Sequence, residues 1–158
     1  MEGKTFYITK DKFKEVQKEY DELVVLEHQK AIKEEAPKML ESEDVNPEFL
    51  SYQEDMASMR ARLEELKDIL EHHEIIKKPA KEKQALVDIG AKVKIDVAGK
   101  NDEFTIVGTL EADPDLGKIS NESPVGKALL GHKIGDEILV FAPVKKKYKI
   151  KNIKYEIS

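Results

Sequence analysis

The sequence predicts an α+β protein: an N-terminal antiparallel helical hairpin, followed by a small antiparallel sheet carrying one helix. Three observations predict it. Bulky side chains recur every three or four residues from Phe49 to His73, the rhythm changes to period two after Ala91, and the charge is divided unevenly along the chain. Residues 1–76 hold 11 Lys and Arg against 20 Asp and Glu, while residues 77–158 hold 16 Lys against 12 acids. Two modules of opposite charge are therefore expected, the first acidic and the second basic.

Composition supports the same reading. Charged residues make up 37% of the 158 and aromatic residues only 6%, which favours long solvated helices over one thick core. The chain has no cysteine, so disulfides, thiolate metal sites and cysteine nucleophiles are excluded. The opening MEGKTFYITK lacks the apolar core of a secretion signal, and no stretch has the uninterrupted hydrophobicity of a membrane span. A soluble cytoplasmic protein, with no membrane partner, is expected.

Thr9 is a plausible cap for the first helix, with Asp11 in its first turn. Phe13, Val16, Tyr20 and Leu23 then begin a seam that weakens beyond Leu26, and Pro37 marks a kink or an early end before Met39. From Lys10 to Met39 the helix would extend about 45 Å. Asn46 as cap and Pro47 at the first helical position open the return helix. Its seam is Phe49, Tyr52, Met56, Met59, Leu63, Leu66, Leu70 and His73. The hairpin thus spans 1–76 with its tip at 41–45, and it needs no second chain to complete its coiled coil, so a monomer is expected.

Residues 77–84, Lys-rich and containing Pro79, read as a linker to a globular domain at 85–158. Val93, Ile95 and Val97 alternate with polar residues, and Phe104 to Val107 makes a second strand across a turn at 99–102. A short helix follows, with Ser123 as cap, Pro124 at its first position and Gly131 as its stop. Two last strands run from Glu137 to Phe141 and from Tyr148 to Ile153, with Lys145–Lys147 read as a charged turn between them.

Other signals point to no chemistry. Lys30, Lys33, Lys38, Arg60 and Arg62 are interleaved with Glu27, Glu34 and Glu35, the pattern of solvated helix faces. His28, His72, His73 and His132 have no metal-site spacing, and the scattered glycines form no phosphate loop, so no cofactor of its own is expected.

In the second module Ile106-Val107-Gly108, Glu111-Ala112-Asp113, Ile119-Ser120, Ser123-Pro124, Ala128-Leu129-Leu130-Gly131 and Gly135-Asp136 follow one another in an order and spacing that resemble those of the GreA/GreB family of transcription factors. The hairpin adds Tyr7-Ile8-Thr9, Asn46-Pro47-Glu48-Phe49 and Arg62-Leu63-Glu64-Glu65-Leu66. The resemblance implies a coiled coil that enters the secondary channel of RNA polymerase and an FKBP-like domain that docks at the rim. Asp113, Pro124, Gly135 and Asp136 are the docking candidates.

It further implies that tip acids hold a Mg²⁺ shared with the polymerase active site, so that water cleaves a backtracked RNA near its 3′ end. The factor would not be an enzyme itself; it would stimulate the polymerase's own activity. Carboxylates suit the role because Mg²⁺ prefers oxygen ligands. Here the candidates are Glu41, Glu43 and Asp44, with Glu43 and Asp44 as metal ligands. The family's Asp-x-x-Glu pattern is not kept: one register places Ser42 and Val45 at its two positions, the other Glu43 and Asn46. The alternative is a regulator that occupies the channel without stimulating cleavage.

Overall fold

The structure, a computed structural model, describes residues 4–32, 47–141 and 144–157. The chain divides into two compact units, Phe13–His72 and a second made of Met1–Lys12 with His73–Ser158.

In chain order the elements begin with strand β1 (Phe6–Ile8), helix α1 (Lys10–Ile32) and helix α2 (Pro47–Glu71). Strands β2 (His73–Ile75), β3 (Ala91–Val97), β4 (Lys100–Val107) and β5 (Lys118–Ser120) follow. Helix α3 (Pro124–Leu129) and strands β6 (Glu137–Phe141) and β7 (Lys145–Tyr155) complete the chain. It is an α+β fold.

Within the helical unit the seam positions are the least exposed. Val16, Met56 and Leu66 are buried, and Phe13, Tyr20, Leu23, Phe49, Tyr52, Met59, Leu63 and Leu70 are half-buried. Ile69, which lies off the expected seam, is buried as well. The helices run antiparallel, since ion pairs join Glu19 to Arg62 and Lys30 to Asp55, so that later residues of α1 meet earlier residues of α2. The expected seam ends one turn early: α2 stops at Glu71, and His73 begins a strand. The expected stretch of the first helix beyond Ile32, the tip at 41–45 and the Asn46 cap lie outside the described residues.

The other unit is built on a five-stranded sheet in the order β5-β4-β3-β7-β6. It is mixed rather than wholly antiparallel, because β5 runs parallel to β4. β1 and β2 form a separate parallel pair, with Ile8 opposite Ile75. Neither strand is among the expected elements, and both belong to this unit, so the helical unit is shorter than the expected hairpin of 1–76. Residues 81–83, inside the expected linker, form one 3₁₀ turn. The β3–β4 turn is tighter than expected, with Ala98 and Gly99 both at positive φ. Lys145–Lys147 is strand, not turn, and pairs with Leu139–Phe141.

One face of this sheet is the core. Val93, Ile95, Ile106, Ile138, Val140 and Ile150 bury together, and Leu129 of α3 closes over them. Tyr155 is buried with its hydroxyl satisfied twice, donating to the Leu86 carbonyl at 2.6 Å and accepting from the Asp88 amide at 2.9 Å. Desolvation raises the pKa of that phenol. α3 begins as expected: Ser123 Oγ accepts from the Gly126 amide at 3.0 Å, with Pro124 at the first turn.

Candidate functional site

The tip carboxylates Glu41, Glu43 and Asp44 lie outside the described residues, so the described site consists of the hairpin that flanks them and the loops of the sheet unit. Among the described residues no group of three or more His, Asp or Glu side chains is arranged to hold a metal ion.

Along the hairpin, basic side chains face carboxylates on the opposite helix. Arg62 grips Glu19 with two nitrogens, at 2.7 and 2.9 Å, and reaches Glu65 at 3.0 Å. These bonds to carboxylates raise its already high pKa. Arg60 meets Glu27 at 3.3 Å and Lys30 meets Asp55 at 3.1 Å. Arg62, Arg60 and Lys30 are thus neutralised in place, whereas Lys33 and Lys38 lie outside the described residues.

The α1 start is held more firmly than its own sequence suggests. Thr9 Oγ1 accepts from the Lys12 amide at 3.2 Å, as a cap should. Glu111, remote in sequence, then accepts from the Thr9 amide at 2.9 Å and from the Thr9 hydroxyl at 2.6 Å. In an ordinary capping box a Glu three residues on closes that reciprocal bond; here the residue comes from a turn after β4. Nearby, Lys4 pairs with Glu122 at 3.0 Å, and Thr109 donates to the same carboxylate at 2.8 Å. The Thr109 bond first, and Lys4 second, lower the pKa of Glu122. Composition alone could not reveal this network, because its members are ordinary polar residues until the chain brings them together.

The four docking candidates fall into two groups. Asp113 caps a 3₁₀ turn, its side chain accepting from the Asp115 amide at 3.2 Å, and it bridges to Lys118 at the start of β5. Pro124 is exposed on the first turn of α3, behind a Ser123 that donates to the Ser120 carbonyl of β5 at 2.7 Å. Gly135 and Asp136 lie before β6, at the other end of the strand order. Gly135 takes φ +94°, and Asp136 accepts from the Lys133 amide at 3.0 Å and meets His132 at 3.1 Å. The Lys133 amide is the first cause of the lowered pKa of Asp136. The structure therefore groups Asp113 and Pro124 around β5, and sets Gly135 and Asp136 apart.

Residues 82–155 match the family described as transcription elongation factor GreA/GreB, C-terminal. Over nearly the whole length, 98% of each chain, the protein is 35% identical to transcription elongation factor GreA of Mycoplasma genitalium. The chain belongs to the GreA/GreB family. A second GreA, from Thermomicrobium roseum, is 38% identical over 62% of this chain and 63% of its own. A solved structure of GreA factor homolog 1 from Thermus thermophilus covers 96% of this chain and 99% of that one, with 22% identity and a TM-score of 0.43. The GreA/GreB match at 82–155 takes in Glu111, Asp113, Pro124, Gly135 and Asp136.

Proposed function

We propose that this GreA/GreB protein is a transcription elongation factor that binds RNA polymerase through the secondary channel and stimulates the polymerase's own cleavage of backtracked RNA. The full-length likeness to a GreA carries the reading, since it covers hairpin and sheet unit alike. The described helices α1 and α2 are antiparallel, and Glu41, Glu43 and Asp44 fall between them in the sequence; metal donors act best on a rigid support.

In this reading the catalytic centre belongs to the polymerase, and the protein acts in the cytoplasm. A shared Mg²⁺ supplies Lewis acidity and an activated water when bound. Glu43 and Asp44, with Glu41 beside them, supply oxygen donors of the class that ion prefers. The sheet unit supplies docking loops, with Asp113, Pro124, Gly135 and Asp136 as contact candidates.

The test uses a stalled, backtracked complex with 3′-labelled RNA. Adding the full chain with Mg²⁺ should release short 3′ fragments, and the chain should co-elute with the polymerase. The double change Glu43→Ala, Asp44→Ala should abolish the fragments and leave co-elution intact. Co-elution of the unaltered chain without fragments identifies a channel-occupying regulator instead, and full cleavage by the double variant removes the ligand assignment.

A further inference from the structure

The face of the five-stranded sheet turned away from the core carries a charge that the proposed function does not use. Along β7, exposed Lys145, Lys147 and Lys149 alternate with buried Tyr148 and Ile150. A register shift opposite Lys94 and Ile95 leaves Lys151 exposed as well. β3 adds Lys94, on the same face as its partner Asn152. Two lysines of this face are neutralised, Lys147 by Glu137 at 2.7 Å and Lys92 by Glu103 at 3.0 Å. Lys149 lies opposite Asp96 of β3 and Glu137 of β6, and Lys94 opposite Glu103 of β4, whereas Lys145 faces Phe141 and Lys151 sits at the register shift.

Ordinary strand protection does not explain this row. Lysines commonly guard exposed sheet edges against unwanted pairing. β7, however, lies between β3 and β6, while the edge strand β6 exposes Leu139 at 58% and Phe141 at 66%. Charge is on the inner strand and apolar surface on the edge, the reverse of a guarded sheet. Such an arrangement is better suited to a partner that neutralises the lysines and covers the ring.

We propose that this face binds single-stranded nucleic acid, with phosphates along the β7 lysines and a base against Phe141. Alternate residues of a strand repeat at roughly 6.6 Å, and flexible lysine stems can follow a regularly charged backbone at that pitch. Phe141 lies on the same face, opposite Lys145, whose ammonium is 5.5 Å from the ring centre. A basic track beside an exposed aromatic ring is the chemistry by which single strands are held without regard to sequence. At its Lys145 end β7 borders an open cleft of about 850 Å³ lined by Lys100, Lys145, Lys146 and Lys147 against one acid, Asp102. An acidic protein surface would meet the lysines too, but the exposed Phe141 ring beside Lys145 offers a stacking surface that a base fills and a carboxylate does not.

The experiment is fluorescence polarisation of labelled 20-residue oligo(dT) and oligo(U) with the full chain over a range of salt. No polymerase is present, so the result is independent of the proposed function. Binding should weaken with salt, and the triple change Lys145→Ala, Lys149→Ala, Lys151→Ala should reduce the log–log slope by about 2. Phe141→Ala should weaken binding roughly tenfold at an unchanged slope. Circular dichroism checks folding; should the triple variant not fold, Lys149→Ala alone should reduce the slope by about 0.7. Absence of binding at about 50 mM salt, an unchanged slope in the folded lysine variant, or full affinity of Phe141→Ala overturns the proposal. Displacement of the oligonucleotide by polyglutamate of equal charge also overturns it, in favour of an acidic protein partner.

Discussion

Gly108 shows how much one atom can decide. A Cβ built there would lie 1.7 Å from the carbonyl oxygen of Tyr7, so only glycine lets β1 approach the end of β4. Gly108→Ala should therefore destabilise the protein by about 1–3 kcal/mol, as overpacking does, measured by chemical denaturation. Glu111→Gln keeps the shape but can accept only one of the two Thr9 hydrogen bonds. It should cost about 1 kcal/mol and speed amide exchange at Thr9; unchanged exchange there would refute the role given to Glu111.

The same scale sets the acid response. Asp136 and Glu122 both have folded pKa values below their ordinary ones, Asp136 mainly through the Lys133 amide and Glu122 mainly through Thr109. A depressed carboxylate stabilises the fold above its unfolded pKa, and that contribution disappears as pH falls through the folded pKa. Stability should accordingly decline below the ordinary carboxylate range, from about pH 4 downward. In Asp136→Asn the decline should be shallower, as followed by denaturation at stepped pH.

At the scale of the element, the hairpin keeps its register where its chemistry changes. The spacing of Phe13, Val16, Tyr20 and Leu23 continues to Glu27 and Lys30, which are half-buried despite their charge. Each finds a partner on α2, Arg60 and Asp55 respectively. In sequence the seam weakens beyond Leu26, yet ion pairs continue it; a charged seam residue looks like a surface one until its partner is opposite. Magnitudes identify what holds the helices. Exposed ion pairs contribute under about 1 kcal/mol, so the coupling between Arg62 and Glu19, each 45% exposed, should fall below that in a double-mutant cycle. Leu66 is fully buried, and Leu66→Ala should cost about 2–5 kcal/mol by denaturant titration. The helices are held by their apolar seam, with the ion pairs contributing alignment.

For the whole molecule, function joins a hairpin of ordinary coiled-coil chemistry to a sheet unit that carries the family's most specific residues. The departure of the tip from Asp-x-x-Glu can be probed directly: Ser42→Asp with Val45→Glu restores that pattern in the first of its two registers and should speed RNA cleavage in the backtracked complex, whereas an unchanged rate would count against that register. Much of the molecule was legible from residue order alone. Periodicity of three and four marks α2, period two marks β3 and β6, and Ser123-Pro124 marks the start of α3, because each signal lies within the element it specifies. The three-residue strands β1, β2 and β5 are too short to show a period, and their pairings depend on residues far away in sequence. Their existence, the Thr9–Glu111 link and the mixed sheet were decided only when the chain closed on itself. By itself the sequence determined the helices, the longer strands and the family; tertiary structure decided which strands became neighbours and therefore which lysines came to share one face. Local rhythm is a property of consecutive residues, whereas neighbourhood depends on the packing of all of them.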